Sequence, residues 1–252
     1  MYILHWDSSL RYFDALRTNP HVCFPFYSPR LFRLLGENTV KRIVARLFSN
    51  RVMARVWRLP FFQKLGFVRS WPLRKSHRYF PLVKKELLPI FRPNADISDV
   101  VDKEMSQYKE QGYFIIGVHI RRGDYKTWEG GKYYFEHTEY RDMMRHLVEV
   151  FKGRKVAFFI STNEPYDTAL FGEFTLCPIS GNTAAHDLYA LSLCDRITGP
   201  LSTFSRWASW YGDVPLAFFE RGDTTLSEDS FSVISDFYHF ENGREIVNLS
   251  DK

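Results

Sequence analysis

From Ala95 onward the chain alternates uninterrupted apolar runs with amphipathic segments, and this alternation restricts the fold more than any other feature of its 252 residues. The runs YFIIGVHI (113–120) and KVAFFIST (155–162) lack the polar-every-second-residue pattern of a half-exposed strand, so both faces need cover, as in a parallel sheet between helices. Helical patterns lie around them. ISDVVDKEMSQYKEQG has Ser98 placed as an N-cap and Gly112 just past its end, and TEYRDMMRHLVEVF repeats Tyr140, Met144, Leu147, Val148 and Phe151 on one face. FTLCPI, AAHDLYALSLC, DRITGP, STFSRWASWYG and VPLAFFE then predict strand, helix, strand, helix, strand. The expected fold is α/β, a Rossmann-like parallel sheet flanked by helices over residues 95–252. Ligands of such sheets bind beyond the carboxyl ends of the strands, so polar residues there are the first candidates for chemistry.

The preceding segment has a different character. Met1 to Arg92 carries 18 Lys and Arg against 4 Asp and Glu, whereas the remainder carries 16 against 25. Such opposite balances predict a smaller, basic, mostly helical N-terminal lobe over residues 1–94 with partners of its own. Within it, VKRIVARLFSNRVMARVWRLPFF spaces Ile43, Leu47, Val52 and Val56 as an irregular helical stripe that Pro60 ends. Its arginines solvate the outer face of a helix pair, dock on an anionic membrane surface or acidic acceptor, or meet nucleic acid. The last is least favoured, because no groove-reading motif accompanies the charge.

No apolar run approaches the roughly 20 residues of a membrane-spanning helix, and MYILHWDSSLRYFD is charged where a secretory signal is apolar. A cytoplasmic chain, peripheral at the inner membrane, is the expectation. Cys23, Cys177 and Cys194 are too few and too scattered for a disulfide framework or a CxxC metal site, and are expected reduced and buried.

His119, Arg121, Arg122 and Asp124 lie where the first buried run ends, in GVHIRRGDY. A guanidinium there suits a diphosphate, since its planar fork donates two charge-assisted hydrogen bonds and keeps its proton near neutrality. Alternatively, both arginines pair with acids on neighbouring loops. In GPLSTFSRWASWYG, Gly199 and Pro200 end a strand, and Ser202, Thr203, Phe204 and Ser205 open the next helix. Free N–H groups and hydroxyls at a helix start make a phosphate cradle, or else Ser202 or Thr203 is simply the N-cap; the two roles are compatible. Asp187, early in its helix, can accept the paired N1–H and N2–H of guanine, or can favour the helix N-terminus electrostatically.

HIRRGD followed by DLYALSLCDRITGPLSTFSRWASWYG resembles the fucosyltransferase superfamily that shares the HxRRxD motif, most closely the bacterial α-1,2-fucosyltransferase-like group (glycosyltransferase family 11-like), from Tyr113 to Phe219. The resemblance implies a GT-B-like fold with the donor held mainly by the C-terminal lobe, a GDP-fucose donor, inversion at the anomeric carbon, and neither metal nor cofactor. It implies that Arg121 binds the diphosphate with Arg122 in support, that His119 lines the donor pocket, and that Asp187 binds guanine. Ser202 and Thr203 would contact phosphate, with Phe204 and Ser205 beside them in the donor site. In related α-1,6 enzymes a glutamate shortly after the arginine motif is the proposed base; Glu129 in DYKTWEGGKYYF falls at that place, with Asp124 as the substitute. The group usually opens with a glycine-rich strand-turn-helix bearing a Gly-Asn pair, which MYILHWDSSLRYFD does not supply, so a truncated or abbreviated acceptor-side lobe is expected.

The expected function is therefore metal-independent transfer of fucose from GDP-fucose to a glycan hydroxyl in surface polysaccharide synthesis. The alternatives are transfer from another nucleotide sugar and a non-catalytic sugar-nucleotide-binding remnant. The expected partners are the nucleotide sugar, the glycan acceptor and an anionic membrane surface at the basic lobe.

Overall fold

The computed structural model describes residues 8–20, 28–47, 80–181, 183–219, 226–234, 240–241 and 244–245. Its N-terminal helices are α1 (Asp14–Thr18), α2 (Pro29–Leu35), α3 (Glu37–Leu47) and α4 (Phe80–Ile90). Then follow α5 (Ala95–Glu110), β1 (Tyr113–Ile120), α6 (His137–Val150), β2 (Lys155–Thr162), α7 (Ala184–Leu191), β3 (Arg196–Gly199), α8 (Thr203–Gly212) and β4 (Leu216–Phe218). A short antiparallel pair, β5 (Phe240–Glu241) and β6 (Arg244–Glu245), comes last.

β1 to β4 form one parallel sheet in the order β2-β1-β3-β4. β1 and β2 are the long apolar runs, in register from Tyr113↔Lys155 to Ile120↔Thr162. Because successive side chains point to opposite faces, Ile115 joins one core layer and Ile116, Val118 and Ile120 the other. The first layer packs Ile97, Val101 and Met105 of α5 and Ala185, Ala190 and Leu191 of α7 on the sheet; the second packs Tyr140, Met144 and Leu147 of α6. α7 can lie this close because β1 carries Gly117, where a Cβ would stand 2.6 Å from Leu191 Cδ2. The chain leaves β1 for β2 on one side and reaches β3 on the other, so the strand order reverses between β1 and β3. That is the topological switch point of the sheet, where open α/β sheets bind ligands.

The architecture is the expected α/β one, a parallel sheet flanked by helices, with local differences. α5 begins at Ala95 rather than after Ser98, which lies buried inside the helix with its hydroxyl toward Asp99. Asn94 precedes the helix, and its side chain accepts the Asp14 N–H at 2.7 Å and donates to the Arg11 carbonyl at 3.0 Å, fastening the N-terminal segment. On α6, Val148 faces solvent and Met143 takes the inward place. FTLCPI makes a single parallel bridge, Leu176 to Phe158, rather than a full strand. In α3 the buried residues are Val40 and Val44 beside Leu10, and Ile43 is exposed. The Leu47 side chain, Val52, Val56, Pro60 and Cys23 lie outside the described residues. Cys177 and Cys194 are reduced and buried.

Segments on both sides of the expected boundary at residue 94 touch closely. Lys84 pairs with Asp213 at 2.6 Å, the Tyr211 hydroxyl donates to the Leu88 carbonyl at 3.2 Å, and the Phe91 and Trp207 rings meet edge-on at 5.0 Å. Among the described residues no helix is long and apolar enough to cross a membrane.

Candidate functional site

The two arginines after β1 have different surroundings. Arg122 is held, its side chain only 14% exposed. It donates to Glu136 at 2.7 Å, to the Phe135 carbonyl at 3.1 Å and to the Tyr134 hydroxyl, and lies 3.4 Å from Glu164. The same turn is tied to the loop after β2, through Arg122 N–H to Asn163 at 3.1 Å and Gly123 N–H to Glu164 at 2.9 Å. The hydrogen bond from Arg122 holds the Glu136 carboxyl below its ordinary range. This arginine is a buttress that folds its own loop and ties it to the loop after β2.

Among the described residues Arg121 pairs only with Asp124, Nε to Oδ1 at 3.0 Å and Nη2 to Oδ2 at 3.1 Å, and its guanidinium lies 5.6 Å from the centre of the Tyr125 ring. Pairing with acids thus describes both arginines, but not equally. Arg121 is 34% and Asp124 59% exposed, and an ion pair so open to water contributes about 0–1 kcal/mol. A diphosphate can displace Asp124 from Arg121 at little cost, whereas Arg122 is engaged by two carboxylates at once.

Across the switch point, β3 ends at Gly199 and α8 begins. Gly199 has φ 153°, and a Cβ there would stand 2.4 Å from the His119 carbonyl oxygen, so glycine is what allows β3 to close on β1. Ser202 is the N-cap of α8, accepting the Phe204 N–H at 3.2 Å. Ser205 is fully buried and donates to the Ser202 carbonyl at 3.2 Å, which makes it part of the cap, while Thr203 is exposed at the helix tip. The Phe204 ring lies 5.1 Å from the His119 ring. His119 is buried, its Nδ1 has no hydrogen-bond partner among the described residues, and burial, with the Arg121 charge adding to it, pushes its pKa down to about 3. Its imidazole is neutral near physiological pH.

One side chain missed from the sequence joins the two loops: the Tyr125 hydroxyl donates to the Leu201 carbonyl at 2.7 Å. Tyr125 touches Arg121 on one side and the start of α8 on the other. Its signal was an aromatic directly after the polar RRGD. Arg206 was missed too; it lies fully buried in α8, its guanidinium 5.6 Å from the Phe218 ring centre.

Asp187 belongs to a neighbouring part of the rim, in the first turn of α7. A cleft of about 430 Å³ opens beside β2, lined by Asp187, Thr162, Tyr166, Ile179 and Gly181 among others. Asp187 accepts the Ser161 hydroxyl at 2.9 Å and a bond from the Thr162 backbone. Burial nevertheless pushes its carboxyl up to about 6, and its charge adds to the burial that raises the Tyr166 phenol. Ser161 pairs with His119 in the sheet register, so the cleft and the switch point meet on one rung.

Glu129 sits on the loop between β1 and α6. It adopts φ 48° and ψ 38°, and Gly130 (φ 66°) and Gly131 (φ 79°) continue in the left-handed region. For glutamate that conformation is strained, and such strain is often kept at functional sites. Trp128 anchors the loop, with its ring 4.8 Å from Tyr125 and 5.1 Å from Tyr133. The Glu129 side chain is exposed to solvent. Among the described residues no group of three or more His, Cys, Asp or Glu is gathered for a metal ion.

No family model and no curated protein matches the chain. Among solved structures it is similar to POFUT1 in its apo form, with 13% identity and a TM-score of 0.37 over 55% of this chain and 49% of that one. It is also similar to POFUT1 in complex with GDP-fucose, with 11% identity and a TM-score of 0.41 over 73% of this chain and 62% of that one. The chain thus spans less than two thirds of either relative. At that distance the likeness assigns no chemistry to it.

Proposed function

We propose that the chain is an inverting glycosyltransferase that moves fucose from GDP-fucose to a glycan hydroxyl in surface polysaccharide synthesis. The observation that carries this reading is the assembly at the switch point. Arg121, in an open and weak ion pair, lies beside Tyr125, whose hydroxyl reaches the start of α8, and the cleft of Asp187 meets this switch point at the His119–Ser161 rung.

In this reading Asp187 accepts the N1–H and N2–H of guanine, while Arg121 and the amides and hydroxyls at the α8 tip hold the diphosphate. Arg122 supports Arg121 by fixing the turn, and neutral His119, backed by Phe204, lines the donor pocket. The acceptor oxygen bonds to the anomeric carbon as the bond from that carbon to the phosphate oxygen breaks. GDP departs with the electron pair, and Glu129, or Asp124 in its place, takes the hydroxyl proton. Stabilisation of the leaving diphosphate by Arg121 and the helix tip does the work that many transferases give to a metal. A GT-B-like arrangement with residues 1–94 on the acceptor side completes the reading.

Calorimetric titration with GDP, GDP-fucose and UDP tests it. Guanine nucleotides should bind and UDP should not, and GDP should be released from GDP-fucose when glycan acceptors are supplied. A preference for UDP would remove the fucose assignment. Tight GDP binding without any transfer to an acceptor panel would leave a non-catalytic nucleotide-binding protein.

A further inference from the structure

The hairpin of α2 and α3 exposes apolar side chains that the core does not take. Val40 and Val44 are buried against Leu10, but Leu34, Leu35 and Ile43 are 80%, 44% and 47% exposed. A single exposed leucine is ordinary; these are three of the five large exposed hydrophobic residues among those described, and they fall within one hairpin.

The same hairpin carries exposed arginines. Arg30, Arg33, Arg42 and Arg46 are exposed, and among the described residues none of the four has an ion pair or a side-chain hydrogen bond. Glu37, the one acid between residues 28 and 47, is engaged by Lys41 at 2.9 Å. Helical spacing puts Arg30, Arg33 and Leu34 on one face of α2, and Arg42, Ile43 and Arg46 on one face of α3.

We propose that this hairpin docks the protein on an anionic phospholipid bilayer, with the four arginines at the headgroup phosphates and Leu34, Leu35 and Ile43 entering the boundary of the acyl chains. Exposed basic and aliphatic side chains together on one helical hairpin are the composition that an interfacial segment needs. Nucleic acid would use the arginines but leave the three aliphatic side chains in water, and the described hairpin exposes no aromatic ring on which bases could stack. The proposal does not depend on the transferase reading.

Vesicle flotation of the full chain tests it, using an equal mixture of phosphatidylglycerol and phosphatidylcholine against phosphatidylcholine alone, with a random duplex DNA as a parallel probe. The wild type should float with the mixed vesicles and not with the neutral ones. Arg33→Gln with Arg42→Gln should weaken flotation about 25-fold, at roughly fivefold per arginine. Leu34→Asn with Leu35→Asn should weaken it several-fold without any change of charge. Circular dichroism and thermal unfolding check that both variants fold, and Ile43→Asn serves if the leucine pair does not. Failure of the wild type to float, or flotation unchanged in both folded variants, would overturn the proposal. DNA binding as strong as vesicle binding and indifferent to the leucine change would assign the surface to nucleic acid instead.

Discussion

The hydroxyl of Tyr125 reaches the carbonyl of Leu201 at 2.7 Å, joining the loop after β1 to the loop after β3 across the sheet's switch point. Tyr125, whose ring lies 5.6 Å from the Arg121 guanidinium, is thereby tied to the residue before the α8 cap. Tyr125→Phe leaves a carbonyl without its donor, for which about 1 kcal/mol of stability should be lost. The expected functional result is several-fold weaker GDP binding by calorimetry. Wild-type affinity in that variant would show that the loops keep their spacing without the bond.

Arg121 and Arg122 adjoin in sequence and should fail in opposite ways. Arg121→Ala removes only an exposed pair, so thermal stability should change by less than about 1 kcal/mol while GDP affinity falls on the order of 100-fold. Arg121→Lys should restore little, because a lysine cannot reproduce the two-pronged donor. Arg122→Ala strips Glu136 and Glu164 of their partner and should cost about 2–3 kcal/mol in unfolding experiments. Near-normal GDP binding by Arg121→Ala would contradict its assignment to the diphosphate.

How these two differ was not legible in GVHIRRGDY, because the acids that distinguish them arrive from elsewhere: Glu136 precedes α6 and Glu164 follows β2. The sheet itself was legible, since a buried parallel strand announces itself as an unbroken apolar run. Register and strand order were not, and with them went the meeting of Ser161 with His119 and of Tyr125 with Leu201. The sequence offers Ser202 or Thr203 as the cap, and the structure gives that place to Ser202. Ser205 looked like its equal, but three residues along a helix turned its hydroxyl back onto the cap and into the core. The inward place expected of Ile43 in α3 goes to Val44 for a similar reason: the two are equally apolar, and only packing against Leu10 chooses between them.

Asp187 should impose a pH dependence on nucleotide binding. Its folded pKa, about 6, lies above the ordinary 3.8, so the folded protein holds this proton more tightly than the unfolded chain. The group therefore favours folding most at low pH, and that contribution is lost as pH rises from about 4 through about 6. Nucleotide binding runs the other way, since guanine N–H donors need the carboxylate. GDP affinity should fall by up to about tenfold per unit as pH drops below 6, with proton release on binding near that pH. Asp187→Asn should flatten both profiles while weakening GDP across the range. An unchanged pH profile in the variant would place the nucleotide away from this cleft.

Glu129 separates strain from chemistry. Its left-handed backbone suits glycine better than glutamate, and relieving such a position commonly gains about 0.5–1 kcal/mol. Glu129→Gly should therefore hold or raise the melting temperature and leave GDP affinity intact, yet reduce fucose transfer by about 100-fold or more if the carboxylate is the base. Glu129→Gln, which keeps both the strain and the shape, should lose transfer to the same degree. That pair distinguishes the two reasons for keeping a glutamate here. If only the glycine variant lost transfer, the loop's shape would matter and the carboxylate would not; if neither did, Asp124 would be left as the acceptor's base. Loss in both, with Trp128 and the two glycines unchanged, would mean that the chain tolerates a strained residue at this turn because the turn presents a carboxylate to the acceptor.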